Sequence, residues 1–281
     1  MDKVPVVMSA MSGVSMALVP LAAEKHVVLF ANVGHPNVTG QNPWVFRNFP
    51  TAEQEAQVMV RFAVQTLDAR RAAILYPRDD WGLSGRDAFR REFAADGRQL
   101  VADESYEKTD AAYRTQLSKI KAAEPEVLYF TGFGNALGLI ARQARELGLE
   151  CHLLTTTGFN DKAIIGLAQE AAEGIYLTTS AFDPESEDPK VRAFVAAFEA
   201  RFARKPAFDE ALQYDTVEMI ANVMRRGVPN ATRIRHQLSS IQAFPGVAGE
   251  TSVDSSGNFR TSIVVGTIKE GSVVRVAQSE D

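Results

Sequence analysis

Residues 127–149 read VLYF-TGFGNALGLIARQARELGL, and this stretch decides the fold. Four apolar residues, Val127 to Phe130, are too short a run for a helix and suit a strand buried on both faces. A turn with two glycines follows, and then Leu137, Ile140, Ala141, Ala144 and Leu147 recur at helical spacing on one stripe. Strand, glycine turn and amphipathic helix make half of a βαβ unit. The turn also raises a chemical question, because glycines between a strand and a helix can cradle phosphate. The spacing G-F-G-N-A-L-G is one residue off a dinucleotide fingerprint. The next strand ends in Thr155-Thr156-Thr157, with no acid for a ribose. Both observations count against a nucleotide.

The same alternation extends outward in both directions. Strand-like runs stand at Val4–Met8, Val27–Ala31, Ala72–Tyr76, Leu100–Tyr106, His152–Thr156 and Gly174–Thr179. Helical patterns lie between them, near 12–25, 51–67, 82–95, 111–123 and 161–168. Thr51-x-x-Gln54 is a capping box, and Ala56, Met59, Val60, Ala63 and Leu67 give its helix one apolar face. Such alternation predicts α/β architecture with parallel sheets covered by helices on both sides. After residue 180 the pattern changes. Two helical faces appear, on Val191, Phe194, Val195, Phe198 and Phe202 and on Val217, Ile220, Ala221 and Met224, and a third helix is predicted over 231–242. From 250 onward, alternating residues around Ser255-Ser256-Gly257 and Glu270-Gly271 predict hairpins.

A chain of 281 residues accommodates two domains with adequate cores. The net charge of −5 leaves no footprint for a polyanion, and the arginine pairs at 70–71, 90–91 and 225–226 are scattered, so nucleic-acid binding is not expected. The single cysteine, Cys151, excludes an internal disulfide and reads as an inert core thiol. No apolar run reaches membrane-spanning length. The opening MDKVPVVMSAMSGVSM is broken by serines and glycine and makes a poor signal peptide, so the chain reads as cytosolic or as one whose N-terminal part has been removed.

In open parallel sheets ligands bind outside the carboxyl ends of the strands. Here those ends read SAMSG (9–13), ANVGHP (31–36), YPRDDWG (76–82), TGFG (131–134) and TTTGFN (155–160). Hydroxyls, glycines and aromatic rings dominate, which suits holding a small polar molecule. Histidines at 26, 35, 152 and 236 show no metal-ligand spacing, and no G-x-S-x-G elbow occurs. Neither a metal nor a cofactor is expected. His35 at a strand end is either a ligand contact or loop filler. Trp81 either packs over the sheet edge or lids a ligand, and Asp79 and Asp80 beside it read as helix N-terminal acids.

Taken in order, SAMSGVSMALVPLAAEKHVVLFAN, NPWVFRNFPTAEQ, RAAILYPRDDWGLSGRDAF, VLYFTGFGNALGLIARQARELGL, AAEGIYLTTS, LQYDTVEM and VDSSGNF resemble the type I periplasmic binding proteins of the leucine/isoleucine/valine-binding family. The resemblance runs over essentially the whole chain. It implies two doubly wound parallel-sheet lobes with a hinged ligand cleft: 1–50 plus 181–245 as the first lobe, 51–180 plus 246–281 as the second, with crossovers near Pro50, Ser180 and Pro245. By position, Ser12 and the Gly34-His35 turn would hold a ligand carboxylate, Trp81 would place a ring over the ligand, and Phe133 and Thr157 would occupy positions where branched-chain amino-acid binders carry a tyrosine and a glutamate for the ammonium.

Thr157 and Phe133 lack those groups. The expected ligand is therefore a carboxylate with an apolar or aromatic body, an amino acid being accommodated if Asp79, Asp80 or Asp215 supplies the charge. The implied role is the solute-binding part of an ABC importer. Its partners would be the permease and ATPase subunits, its location the periplasm, and it would insert in no membrane and perform no chemistry. A cytosolic ligand sensor on the same fold and a nucleotide-dependent enzyme using 132–138 are the alternatives. Family members begin with about two βα units of roughly 30 residues each before the SAMSG-like turn. The first lobe is thus expected to be incomplete at its N-terminus, the chain being a fragment, completed by another element, or a reduced lobe.

Overall fold

A computed structural model describes residues 4–225 and 230–276. Residues 1–3 and 277–281 of the expected lobes, and Arg226 of the arginine pairs, lie outside the described residues. In chain order the elements are β1 (Val6–Ala10), α1 (Ser12–Lys25), β2 (Val28–Asn32), β3 (Val45–Phe46), α2 (Ala52–Gln65), β4 (Arg71–Pro77), α3 (Asp80–Phe93), β5 (Gln99–Tyr106), α4 (Arg114–Ala122), β6 (Val127–Phe130), α5 (Asn135–Glu146), β7 (His152–Thr155), α6 (Lys162–Ala168) and β8 (Tyr176–Ser180). They continue with α7 (Pro189–Phe202), α8 (Phe208–Arg225), α9 (Ala231–Leu238), β9 (Phe244–Gly246), β10 (Gly249–Val253), β11 (Phe259–Thr261), β12 (Ile263–Lys269) and β13 (Ser272–Arg275). The helix expected over 231–242 stops at Leu238, and the one expected over 111–123 starts at Arg114.

Two compact units result. One comprises residues 1–50 and 180–262, the other 51–179 and 263–281. Residues 246–262 thus belong to the first unit, not the second as the sequence suggested, and the last crossover falls at Ser262–Ile263 rather than near Pro245. The reason is hydrogen bonding. β10 pairs antiparallel with both β9 and β11, and the backbone of Arg47 bonds the 257–259 segment, since Phe259 N donates to Arg47 O at 2.7 Å while Arg47 N donates to Gly257 O at 2.9 Å. Pro245 therefore sits inside a strand.

In the second unit seven strands follow the order β13-β12-β8-β7-β6-β4-β5. β4 to β8 pair in parallel, and β12 with β13 forms the antiparallel hairpin turned at Glu270-Gly271. Alternate residues feed two cores. Leu75, Leu128, Phe130 and Leu153 face α4, α5 and α6, whereas Ile74, Tyr129 and Leu154 face α2 and α3. Burial on both faces accounts for the continuous apolar runs. The α2 capping box closes in full: Thr51 Oγ1 accepts from Gln54 N, and the Gln54 side chain accepts from Thr51 N.

The first unit has a parallel sheet β1-β2-β3 and a separate antiparallel sheet β11-β10-β9. Phe30 stacks on Phe46 and on Phe259 at its centre, and Phe46 meets Phe259 at a tilt. Met219, Ile220 and Val223 of α8 and Ile234 and Leu238 of α9 complete that core.

Candidate functional site

In the second unit the opening question about the glycine turn is resolved by packing. A Cβ on Gly132 would stand 2.1 Å from the Tyr106 hydroxyl, which donates to Thr131 O at 2.8 Å. Gly134 precedes α5 with φ of 55°, in the region L side chains rarely adopt. The glycines let a buried tyrosine reach the backbone and let the chain turn; they need no phosphate. Gly132→Ala is accordingly expected to destabilise the protein by about 1–3 kcal/mol through overpacking, read as a lower thermal midpoint with an unchanged secondary-structure spectrum.

The turn presents Phe133, a residue 55% exposed. Trp81 meets it, with centroids 4.5 Å apart and planes tilted by 48°. Trp81 is buried in the first turn of α3, which is well anchored. Asp79 caps that helix by accepting from Gly82 N at 2.7 Å, and its other oxygen pairs with Lys108 Nζ at 2.7 Å. The two aromatic candidates thus come together as one apolar surface at neighbouring strand ends. Asp79 is already engaged as a cap and ion pair. Asp80 is exposed in the first helical turn.

Thr157 begins a short 3-10 turn after β7. Its N–H donates at 2.7 Å to Oε1 of Glu55, which also accepts from Thr178 Oγ1 at 2.7 Å. Glu55 is buried, and desolvation pushes its carboxyl up to about 7, against the pull of the Thr157 and Thr178 bonds. Sequence reasoning missed this residue. The available signal was an acid at 55, inside the apolar stripe of α2 between Ala52, Ala56 and Met59.

In the first unit, Ser12 opens α1 and is exposed. The neighbouring serines bond to each other instead, Ser9 Oγ to Ser15 Oγ at 2.8 Å. His35 caps the turn Pro36–Val38 through Nδ1, which accepts from Asn37 N at 3.2 Å. With Nδ1 accepting, the neutral ring carries its proton on Nε2. The Gly34-His35 turn is held from below by Arg47, whose Nη1 donates to His35 O at 2.6 Å. The Arg47 guanidinium also reaches Asn258 Oδ1, at 2.7 Å from Nη2 and 3.0 Å from Nε. Burial lowers it to about 10, partly offset by Asp254, so it stays charged at neutral pH. Asp215 of α8 accepts from Val247 N at 2.7 Å and Ala248 N at 2.8 Å, and desolvation raises its carboxyl above the usual range. It ties a loop of its own unit. Asp79 is thus the helix N-terminal acid that the sequence suggested, whereas the structural work of Asp215 was not legible there.

Cys151 is half-buried, and desolvation pushes its thiol up to about 11, the behaviour of an unreactive cysteine. Among the described residues no cluster of three or more His, Cys, Asp or Glu is placed to hold a metal, and no helix is long and apolar enough to cross a membrane.

Two α/β units, each with a parallel sheet, give the architecture of a periplasmic binding protein. The chain belongs to the periplasmic binding protein family, which it matches over residues 1–272. It is similar to the leucine-, isoleucine-, valine-, threonine- and alanine-binding protein of Pseudomonas aeruginosa, at 23% identity over 228 residues, 80% of this chain and 60% of that one. The chain spans 49% to 60% of the length of the first three curated relatives it matches. A leucine-binding protein of Thermotoga maritima superposes with a TM-score of 0.86 at 26% identity, covering 97% of this chain and 79% of the other. A benzoate-bound solute-binding protein of an ABC transporter from R. palustris shares the fold, with a TM-score of 0.82 at 18% identity, over 97% of this chain and 76% of the other.

Proposed function

We propose that this chain is the solute-binding component of an ABC importer and binds a small carboxylate-bearing ligand, an amino acid or an apolar or aromatic acid, without transforming it. The observation that carries the reading is the Trp81–Phe133 pair. A mostly exposed phenylalanine, packed at a tilt against a tryptophan that a capped helix holds in place, offers a pre-formed apolar surface at a strand end. Family membership supplies the context, and the names of the relatives point to leucine-like ligands and benzoate as probes. Within the second unit the Thr157 hydroxyl lies at a strand end as a further polar group for the ligand, and in the first unit Ser12 and the Gly34-His35 turn are the candidate contacts for a carboxylate. The partners are permease and ATPase subunits, and the protein acts in the periplasm.

Calorimetric titration with L-leucine, L-isoleucine and benzoate tests this. Saturable binding of at least one is expected, weakened about tenfold or more by Phe133→Ala through loss of ring contact. Failure of all three to bind the wild-type protein at millimolar concentration would sink the reading.

A further inference from the structure

Register sets a row of hydroxyls across three neighbouring strands of the second unit. Tyr129 pairs with Leu154, and Leu154 pairs with Tyr176. Side chains alternate along a strand, so two residues on, Thr131, Thr156 and Thr178 form the next row on the same face. α2 covers that face, since Tyr129, Leu154 and Tyr176 pack with its Ala56 and Met59. Glu55 lies one position before Ala56 and takes the Thr178 hydroxyl and the Thr157 N–H on a single oxygen, Oε1.

Two features of this cluster are physically anomalous. Glu55 is only 3% exposed, yet the influences on its charge are burial and two neutral donors, with no cation among them. A buried carboxylate of that kind is costly. On the same face, the hydroxyls of Tyr129, Thr131 and Thr156 are buried and find no hydrogen-bond partner among the described residues, a rare condition for buried polar atoms. Tyr129 of β6 faces Glu55 closely enough that the carboxylate resists its ionisation, and among the described residues no cation offsets the burial of Glu55. One carboxylate and several hydroxyl acceptors at the ends of adjacent strands complement a compact cation with several N–H donors, which is an alkylammonium.

We propose that Glu55, together with the hydroxyls of Thr131 and Thr156, recognises the ammonium group of the ligand, so that this protein selects amino acids over simple carboxylic acids. The inference rests on the solute-binding function proposed above and narrows its ligand class. It replaces Asp79 and Asp215, which their own contacts occupy, with a carboxylate adjoining Thr157.

The test compares L-leucine with 4-methylpentanoate, which has the same side chain and carboxylate but no ammonium, by calorimetry at pH 8. The wild-type protein is expected to prefer leucine by roughly 30-fold or more, and Glu55→Gln to cut that preference to within about threefold, as loss of a desolvated charge partner requires. The amide keeps an oxygen for Thr157 and Thr178. Equal binding of the two compounds by the wild type, or an undiminished preference in Glu55→Gln, would overturn the inference while the solute-binding function stands. Binding of benzoate or 4-methylpentanoate but not leucine would do the same. No binding of any of them would remove both. Should Glu55→Gln fail to fold, wild-type titrations at pH 7 in two buffers of different ionisation enthalpy decide. Leucine should release protons, because an ammonium favours the charged carboxylate, and 4-methylpentanoate should release none. Leucine binding without proton release would refute the role given to Glu55.

Discussion

Replacing Arg47 with methionine should lower stability by about 3–5 kcal/mol, the range for removing one member of a buried charged network. Arg47 is 2% exposed and donates to His35 O, Thr39 Oγ1 and Asn258 Oδ1. It also lies in a backbone exchange with the 257–259 segment. Methionine fills much of the volume but leaves the His35 carbonyl without the Arg47 donor and the Asn258 oxygen with only its bond from Thr39. Urea unfolding should show a lower midpoint. A second readout separates this from loss of packing alone. The Gly34-His35 turn rests on Arg47, so amide exchange at Gly34, His35 and Asn37 should accelerate more than exchange in α8, which also borders the same core. An unchanged midpoint would mean that the network contributes nothing net.

Arg47 also shows where a sequence stops being readable. The strands of the second unit were legible because each is buried on both faces and its apolar run is local. The α2 start was legible because a capping box needs only residues three apart. The Arg47–Asn258 contact joins residues 211 positions apart, and no local pattern announces it. The same blindness assigned 246–262 to the wrong unit, since a strand's partner is set by register across the fold and not by its own alternation. The strand-end rule pointed to the segments that hold Trp81, Phe133 and Thr157, the resemblance singled out Phe133 and Thr157 within them, and the structure brings Trp81 and Phe133 together. Glu55 escaped because the Thr51 capping box made acids near the helix start look ordinary. Its position in the apolar stripe was the contrary sign, and only the fold shows that it faces Thr157 and Thr178.

Glu55→Gln is expected to make the ligand-free protein more stable at pH 8, although it removes the group to which we assign ammonium recognition. The sign follows from proton linkage. The Glu55 carboxyl stands at about 7 in the folded protein against an ordinary 4.5, so the folded state holds the proton more tightly than the unfolded chain. Between these values the folded state carries more protons, and stability falls as pH rises; above about 7 the loss is complete and the curve levels. At about 1.4 kcal/mol per pH unit, that window corresponds to about 3 kcal/mol of stability lost by pH 8. Glutamine carries no charge to desolvate. Its oxygen keeps the bonds from Thr157 and Thr178, and Tyr129, whose hydroxyl lacks a partner, offers an acceptor to the new amide. The variant should therefore gain about 1–3 kcal/mol at pH 8, little or nothing at pH 4.5, and lose the wild-type decline between the two. Urea titrations across that range measure it directly. A residue that weakens its own fold at working pH, yet sits buried against the Thr157 turn at a strand end, has the energetic profile of a functional group rather than a structural one. Wild-type stability independent of pH between 4.5 and 8 would instead mean that Glu55 is satisfied by its surroundings and has no unmet charge to offer a ligand.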